Sequence, residues 1–278
     1  YKPKLTRDSG KSPPAGQGRG FLAGKLLGSP WEFAKRGDSG LWISDLFPEL
    51  AKRADDLCIL NGMHTNVPAH PQAFLQLHTG TSQFIRPSLG AWTLYGLGTE
   101  NQNLPGFISI NPTTQHGGAQ NYGNAFLPAI YQGTRIGNEG RPVARAAVSN
   151  IQNRRFSPAT QRQQLDFIQS LQQEQLKNDR VNAELDGVIA SYELAFRMQA
   201  EAPDAVDLTQ ETKATQDAYG IGQQPTDEFG RNCLIARRMV ERGVRFIQLY
   251  SGGGHLEETW DAHESVEKNH GRHGAEID

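Results

Sequence analysis

Residues 226–250 read TDEFGRNCLIARRMVERGVRFIQLY and predict a helix that passes directly into a strand. Apolar residues recur at three- and four-residue steps after Thr226, and Gly243 follows the last of them, so we expect one amphipathic helix between these two positions. The apolar run from Val244 to Tyr250 predicts the strand. A glycine-marked turn between a helix and a strand is typical of proteins that alternate the two elements.

Two further apolar runs extend this pattern toward the amino terminus. Residues 56–60 (Asp-Leu-Cys-Ile-Leu) predict a central strand buried on both faces, and residues 107–110 (Phe-Ile-Ser-Ile) predict a shorter strand. Helices are predicted between Asp45 and the first of these strands, from Pro71 through Leu77, from Ser88 to Leu97, and from Ser157 through Phe196 as one helix or two. We therefore expect an α/β fold with a mostly parallel sheet flanked by helices on both faces.

The composition excludes several classes of protein. The chain has 278 residues, and its 37% hydrophobic content fits an ordinary globular protein. With 28 Lys and Arg against 30 Asp and Glu, the chain lacks the excess of positive charge that is typical of proteins that bind nucleic acid or an anionic membrane surface. No membrane span is expected, because the apolar runs are far shorter than the roughly 20 residues that a spanning helix needs. Cys58 and Cys233 exclude a disulfide framework and are expected to be buried thiols.

We expect one domain over residues 1–278. Residues 111–156 are rich in Gly, Asn, Gln and Pro, which predicts a long loop or lid within that domain. The chain begins at Tyr1 rather than Met and no signal sequence precedes it, so the domain is expected to be truncated at its N- and C-terminus.

Histidines and an aspartate gather after two of the predicted strands. Residues 61–71 follow the first strand and residues 251–270 follow the last. Because ligands of open α/β sheets bind beyond the carboxyl ends of the strands, we expect these two segments to converge. Histidine nitrogen and aspartate oxygen are donor types that hold zinc or a similar divalent ion. The candidates in the two segments are His64, His70, Asp261, His263 and His270.

Each candidate also has a structural interpretation. His70 precedes Pro71, so it is either the cap of the predicted helix or an active-site group at a helix N-terminus, where a bound anion is favoured. Asp261 and His263 either contact a metal ion or belong to a polar loop network. His78, at the C-terminal end of its helix, is expected to be structural. The histidines expected to be solvated are His116, His255 and His273.

Longer motifs carry a family resemblance. They are HTNVPAHPQAFLQLHTG (64–80), RPSLGAW (86–92), YGLGTENQNLPGF (95–107), WDAH (260–263) and Asn269-His270. Through them the chain resembles, over nearly its whole length, the family of domains of unknown function numbered 1501. That family is grouped with the alkaline phosphatase and sulfatase superfamily, so the resemblance implies an alkaline phosphatase-like fold and metal-dependent chemistry.

The resemblance also implies roles for single residues. In the superfamily the nucleophile begins a helix that ends in a Thr-Gly pair, and aligning on Thr79-Gly80 places His70 at the nucleophile position. This departs from the usual Ser, Thr or formylglycine-forming Cys, and no Cys-x-Pro-x-Arg motif surrounds either cysteine, so formylglycine chemistry is not expected. Relatives carry further ligand-bearing segments on both sides, so this region alone is expected to be inactive. The implied ligands of a zinc or similar divalent ion are Asp261, His263, His270 and His64.

The resulting expectation is a metal-dependent hydrolase of phosphate or sulfate esters, with a small-molecule or polysaccharide ester as substrate. The alternative is a non-catalytic exported protein that uses the same cleft to bind a carbohydrate or a partner, because the usual nucleophile is replaced. Relatives commonly bear twin-arginine signals, so the resemblance implies a periplasmic or extracellular location. The metal, the substrate and the oligomeric state stay open.

Overall fold

The computed structural model describes residues 1–13, 24–137, 155–176, 183–252 and 259–278. They form two compact units: a flanking unit from the described parts of Tyr1–Met63 and Ala262–Asp278, and a central unit from the described parts of His64–Asp261. The helices are α1 (Pro3–Arg7), α2 (Pro48–Ala51), α3 (His70–Thr79), α4 (Leu89–Leu97), α5 (Pro158–Leu176), α6 (Ala183–Val206), α7 (Lys213–Ala218), α8 (Asp227–Glu241) and α9 (Val266–Ile277). The strands are β1 (Phe33–Arg36), β2 (Leu41–Ser44), β3 (Phe107–Ile110), β4 (Thr134–Ile136) and β5 (Phe246–Leu249). The single domain expected over residues 1–278 stays a prediction.

The central unit contains a parallel three-stranded sheet in the order β4-β3-β5. Ile108 of the middle strand lies opposite Thr134 of β4 and Ile247 of β5. Parallel strands need long crossover connections, and the one from β4 to β5, which lie on either side of β3, contains helices α5 to α8. The mixed α/β class and the parallel pairing predicted from the sequence are confirmed, in a small sheet.

Successive side chains of β3 point to opposite faces of the sheet, and helices cover both faces. Ile108 and Ile110 point into the main apolar core, to which α6 and α8 contribute. That core also contains Leu104, Ile136, Met198, Ala202, Ala205, Ile235, Met239 and Val244. Phe107 points the other way and packs with Leu94 of α4 and with Tyr122. The expected cover of helices on both faces is therefore present in this unit.

A glycine lets helix α4 approach the sheet closely. The helix begins as predicted, because the Ser88 side chain accepts a hydrogen bond from the Ala91 N–H and caps it. A Cβ atom on Gly90 would lie 2.5 Å from the ring of Phe107. Any larger residue at this position would therefore push α4 away from β3.

The helices predicted in the second half of the chain are also present. Helix α8 follows Thr226, Gly243 lies just past its end with a φ of 82°, and β5 begins three residues later. Helices α5 and α6 occupy the region predicted as one helix or two, and residues 177–182 between them lie outside the described residues. None of the helices within the described ranges is long and apolar enough to cross a membrane.

The strand predicted at residues 56–60 is wrong. Asp56 ends a 3₁₀ turn, and the four residues after it form no regular secondary structure. Ile59 and Leu60 are 50% and 69% exposed. An apolar run forms a strand only where a neighbouring strand completes its backbone hydrogen bonds, and β3 takes the central position instead.

The two cysteines differ in their surroundings. Cys58 is exposed, so the expectation of a buried thiol is wrong there. Cys233 is partly buried on α8, and burial raises the pKa of its thiol.

Part of the loop predicted at residues 111–156 is regular. It contains β4 and, before it, the 3₁₀ turns Gly118–Tyr122 and Ala129–Tyr131. A strand of three residues offers too little apolar alternation to be recognised in a sequence, and β4 is defined by its pairing with β3. Residues 138–154 of the predicted loop lie outside the described residues.

The flanking unit contains an antiparallel hairpin that the sequence did not predict. Strands β1 and β2 pair in it, and Gly37 and Gly40 at its turn adopt φ values of 63° and 65°. Glycine reaches this left-handed region without strain. Trp42 of β2 stacks on Tyr1 with 4.4 Å between ring centroids.

Helix α9 of the same unit was also not predicted. Gly271 and Gly274 lower its helix propensity, so its sequence carries a weak helical signal. The Asp278 carboxylate at its end accepts backbone hydrogen bonds of 2.7 and 2.8 Å from the first turn of α2. His273 is 1% exposed, so the expectation that it is solvated is wrong.

Candidate functional site

Helix α3 begins at the histidine on which the sequence prediction centred. His70 is its first residue and Ala69 its N-cap, one position earlier than expected. The Ala69 side chain makes no capping hydrogen bond. Gly80 ends the helix in the left-handed region with a φ of 76°. The amino end of α3 therefore combines an imidazole with first-turn N–H groups that no cap side chain satisfies, an arrangement that favours an anion.

His70 and Asp261 lie in direct contact. The distance between His70 Nε2 and Asp261 Oδ2 is 3.0 Å, and their side chains are 54% and 35% exposed. The backbone N–H of Asp261 donates to the Thr259 hydroxyl at 3.1 Å, which helps to hold the carboxylate in place. Because Nε2 carries the proton in this hydrogen bond, the lone pair of a neutral His70 lies on Nδ1.

His116 lies beside this pair, although it was expected to be solvated. Its ring centroid is 5.5 Å from that of His70 and 5.5 Å from that of Phe74. Its Nδ1 is buried and has no hydrogen-bond partner among the described residues. The Asn121 side-chain amide donates to the His116 carbonyl at 2.6 Å and fixes the backbone there. A second imidazole with an unused nitrogen thus borders the His70–Asp261 pair.

His78, expected to be structural at the C-terminal end of its helix, is tied to the end of β5. Its Nδ1 lies 2.6 Å from Gln248 Nε2, and its Nε2 lies 3.2 Å from the Tyr250 hydroxyl. Gln248 Nε2 also donates to the Asn121 carbonyl at 3.3 Å. These contacts join the last turn of α3 to the residues at which the strand leaves the sheet.

Burial keeps both ends of this network neutral. It lowers the pKa of the His78 imidazole, because the charged form loses its hydration. Burial also raises the pKa of Tyr250 to about 12, because the charged phenolate would lose its hydration. At neutral pH the network therefore consists of an uncharged imidazole, an amide and a phenol.

Asn111 follows the middle strand of the sheet in a left-handed conformation. Its φ is 56°, which is uncommon for a residue other than glycine and is tolerated best by Asn and Asp. The residue is 9% exposed, and its Oδ1 has no hydrogen-bond partner within the described part of the chain. An unusual backbone and an unused amide oxygen beyond the carboxyl end of β3 mark it as a further candidate.

The other predicted metal ligands are not gathered in one unit. His64 is exposed and lies in the central unit, before α3. His263 and His270 belong to the flanking unit, where His270 stacks on Trp31 with 5.9 Å between ring centroids. Within the described residues, no group of three or more His, Cys, Asp or Glu side chains is arranged to hold a metal ion. The ligand roles of Asp261, His263, His270 and His64 stay predictions, and His255 lies outside the described residues.

A cavity of about 680 Å³ in the central unit is separate from these residues. It is lined by parts of α5, α6 and the segment that leads to β4. Two of its amides bond to each other, since Gln199 Nε2 donates to Gln161 Oε1 at 2.8 Å. The candidate site residues His70 and Asp261 lie at the start of α3 and do not line this cavity.

The family model described as a protein of unknown function, DUF1501, matches residues 1–278. The chain belongs to the DUF1501 family. No curated protein and no solved structure matches this DUF1501 protein. Membership identifies relatives and leaves the activity to be inferred from the site.

In the sequence of this DUF1501 protein, one pattern could have linked His78 to the site, whereas none could have identified His116 or Asn111. His70, Phe74 and His78 recur at four-residue steps, which places them along one side of a helix. In the structure, that side carries the contacts with Asp261, His116 and Tyr250. No comparable spacing signals His116 or Asn111, because the path of the segment after β3 brings them to the site.

Proposed function

We propose that this DUF1501 protein is a divalent-metal-dependent hydrolase of phosphate or sulfate esters, with its active site at His70 and Asp261. The observation that carries the proposal is the 3.0 Å contact between these side chains at the start of α3. An alkaline phosphatase-like fold is part of the proposal, and so are a periplasmic or extracellular location and a polysaccharide-type substrate. These parts rest on the family resemblance.

The start of α3 supports an anionic substrate. Phosphate and sulfate groups favour helix N-termini, where backbone N–H groups and the helix dipole act together. His70 adds an imidazole at the same place, and the lone pair on its Nδ1 is not used by Asp261. An ester group bound there would lie next to a nitrogen that could accept a proton from an attacking water molecule. Alternatively, the nitrogen could bond to phosphorus or sulfur as the ester oxygen leaves and takes a proton from water, and a second water molecule would then cleave that bond and release phosphate or sulfate.

The donor types at the site suit a zinc or similar ion. Imidazole nitrogen and carboxylate oxygen are common zinc ligands, and a histidine that binds a metal usually donates its other ring N–H to a carboxylate or carbonyl. The 3.0 Å contact between His70 Nε2 and Asp261 Oδ2 supports this arrangement and leaves His70 Nδ1 to face the ion. The buried, unpartnered Nδ1 of His116 is a further donor nearby, since its ring centroid lies 5.5 Å from that of His70. When bound, such an ion would neutralise charge on the transferring group.

The chain's own groups have separable tasks in this proposal. Asp261 orients the His70 ring through Nε2 and stabilises positive charge that develops on it. His70 then presents Nδ1 to the ester or to the ion. His116 lies beside the His70 ring and packs against Phe74, so it adds a second imidazole to the same space.

The test is hydrolysis of aryl phosphate and aryl sulfate esters by the full-length protein, with and without a chelator, together with its metal content. We expect turnover of at least one class of ester, bound metal in stoichiometric amount, and loss of turnover on chelation. Absence of metal together with absence of turnover of both classes would overturn the proposal. It would favour the non-catalytic exported protein that binds a carbohydrate or a partner.

Two variants on α3 sharpen this test. His70→Gln keeps an amide that can donate to Asp261 from near the Nε2 position but has no equivalent of Nδ1. We expect it to lower kcat by at least about 10²-fold. Leu77→Ala is the matched control, because Leu77 lies on the same helix and is 70% exposed. Equal turnover by the two variants would remove His70 from the reaction.

A further inference from the structure

The hydrogen bonds at the end of α3 define which nitrogen of His78 carries the proton. Gln248 Nε2 lies within bonding distance of both His78 Nδ1 and the Asn121 carbonyl. A carbonyl can only accept, so the group of Gln248 that faces Asn121 must be the NH₂ and not the oxygen. The same NH₂ faces Nδ1, which must then accept. His78 is therefore the tautomer with its proton on Nε2.

The other nitrogen completes the arrangement. The Nε2–H of His78 points at the Tyr250 hydroxyl oxygen 3.2 Å away and donates to it. In the other tautomer, and also in the charged imidazole, the Nδ1–H would face the Gln248 NH₂. Two donors would then face each other, and no hydrogen bond could form between them. The network thus has a single arrangement in which every facing pair consists of a donor and an acceptor.

Helix geometry links this network to the active site. His70 and His78 are eight residues apart, so they lie about 12 Å apart along the axis and about 80° apart around it. Phe74 lies between them and contacts His116. A rotation of α3 about its axis would move His70 away from Asp261 and would break the bonds of His78 at the same time.

We propose that His78 is a positioning residue: fixed between Gln248 and Tyr250, it sets the rotation of α3 that places His70 against Asp261. This inference rests on the proposed function for its importance, because it deepens the account of the same site. Its content is structural and separately testable. An apolar residue could fill the space of His78, but it would lack the directional bonds that select one rotation of the helix.

The experiment uses the full-length protein labelled with ¹⁵N at histidine and observed by NMR, without metal or substrate. In the parent protein, we expect His78 as one tautomer, protonated at Nε2, and His70 with the ¹⁵N shifts of an imidazole that is protonated at Nε2 and bonded to Asp261. His78→Gln and Tyr250→Phe each remove one directional bond. Both are expected to move the ¹⁵N signals of His70 toward those of a free imidazole.

Tyr250→Phe keeps the aromatic ring and is the milder change, so it decides the question if His78→Gln does not fold. The control is Ile235→Val, which removes one methyl group from the core on the other face of the sheet. It is expected to lower the thermal midpoint and to leave the His70 signal in place.

Two outcomes would overturn the inference. One is a proton on Nδ1 of His78 in the parent protein, and the other is an unchanged His70 signal in folded Tyr250→Phe. Neither outcome depends on ester hydrolysis. A protein that is inactive on every ester but passes the NMR test would contradict the proposed function alone, so the two failures are distinguishable.

Discussion

His70 Nε2 lies 3.0 Å from Asp261 Oδ2, although the two residues are far apart in the sequence. His70 is the first residue of α3, and Asp261 lies in the segment between β5 and α9. Both side chains are partly exposed, so the contact alone contributes little to stability. Its geometry, with the carboxylate on one imidazole nitrogen and the other left for chemistry, is what gives it functional meaning.

Asp261→Asn tests this orientation by an exchange of nearly equal volume. The amide can donate to His70 as well as accept from it, so the preference for a proton on Nε2 is lost. We expect kcat for the ester substrate to fall by about 10²–10⁴-fold, with little change in the thermal midpoint. Glu264→Gln serves as a control because Glu264 is exposed and close in sequence. Similar kinetics of the two variants would assign Asp261 a structural role only.

Stability is expected to fall as the pH falls below the ordinary pKa of histidine. The pKa of His78 is lower in the folded protein than its usual value of about 6.5, so the unfolded chain binds the proton more readily. The contribution of His78 is complete above about pH 6.5 and is lost as the pH drops through the folded pKa. Urea unfolding at a series of pH values should show this decline. His78→Phe should flatten it, and a decline of the same size in that variant would assign the effect to other groups.

The elements that the sequence predicted well are those with local start and stop signals. Ser88 begins α4, Thr226 precedes α8, and Gly243 ends it. The apolar content of residues 57–60 resembles that of β5, yet these residues form no strand. The difference is that β5 has a neighbouring strand, β3, to complete its backbone hydrogen bonds. A local sequence pattern does not show whether such a neighbour is present.

The same distinction applies to the site. The contact of His70 with Asp261 was expected from the rule that ligands gather beyond strand ends, but the strand assumed before His70, residues 56–60, does not form. The packing of α3 against the end of β5 brings His70 to this place instead. The rule also could not include His78 and His116, because their places depend on how α3 is rotated and on the path that the chain takes after β3. Spacing groups His70 with His78 on one side of a helix, but only packing determines what that side faces.

Asn111 offers a way to separate backbone shape from side-chain chemistry. Asn111→Gly keeps the positive φ accessible and should change stability by less than about 1 kcal/mol. Asn111→Ala keeps the Cβ atom but removes the short polar side chain that makes this conformation tolerable for Asn, at a cost of about 1 kcal/mol. Both variants remove the buried, unpartnered Oδ1.

If that oxygen contacts the substrate, kcat/KM should fall by a similar factor of about 3–10 in both variants, equivalent to one lost hydrogen bond. Steady-state kinetics and urea unfolding measured together would show this. Loss of activity confined to Asn111→Ala would mean that only the backbone conformation matters.

Loss of one partner from the buried ion pair of Arg238 and Glu211 is expected to destabilise the central unit strongly. Their side chains are 6% and 14% exposed, and the guanidinium also donates to the carbonyls of Ala205 at 3.1 Å and Asp204 at 2.9 Å near the end of α6. Arg238→Ala leaves a buried carboxylate and two helix-end carbonyls without these donors. We expect the free energy of unfolding to fall by about 3–5 kcal/mol.

Arg237→Ala is the matched control on the same helix, because its ion pair with Glu241 is about half exposed. Its free energy of unfolding should change by less than about 0.5 kcal/mol. Replacing both partners, as in Arg238→Met with Glu211→Leu, should recover much of the stability, since no charge is then left buried alone. If the double variant were as unstable as Arg238→Ala, the bonds to the end of α6, rather than the ion pair, would be the dominant contribution.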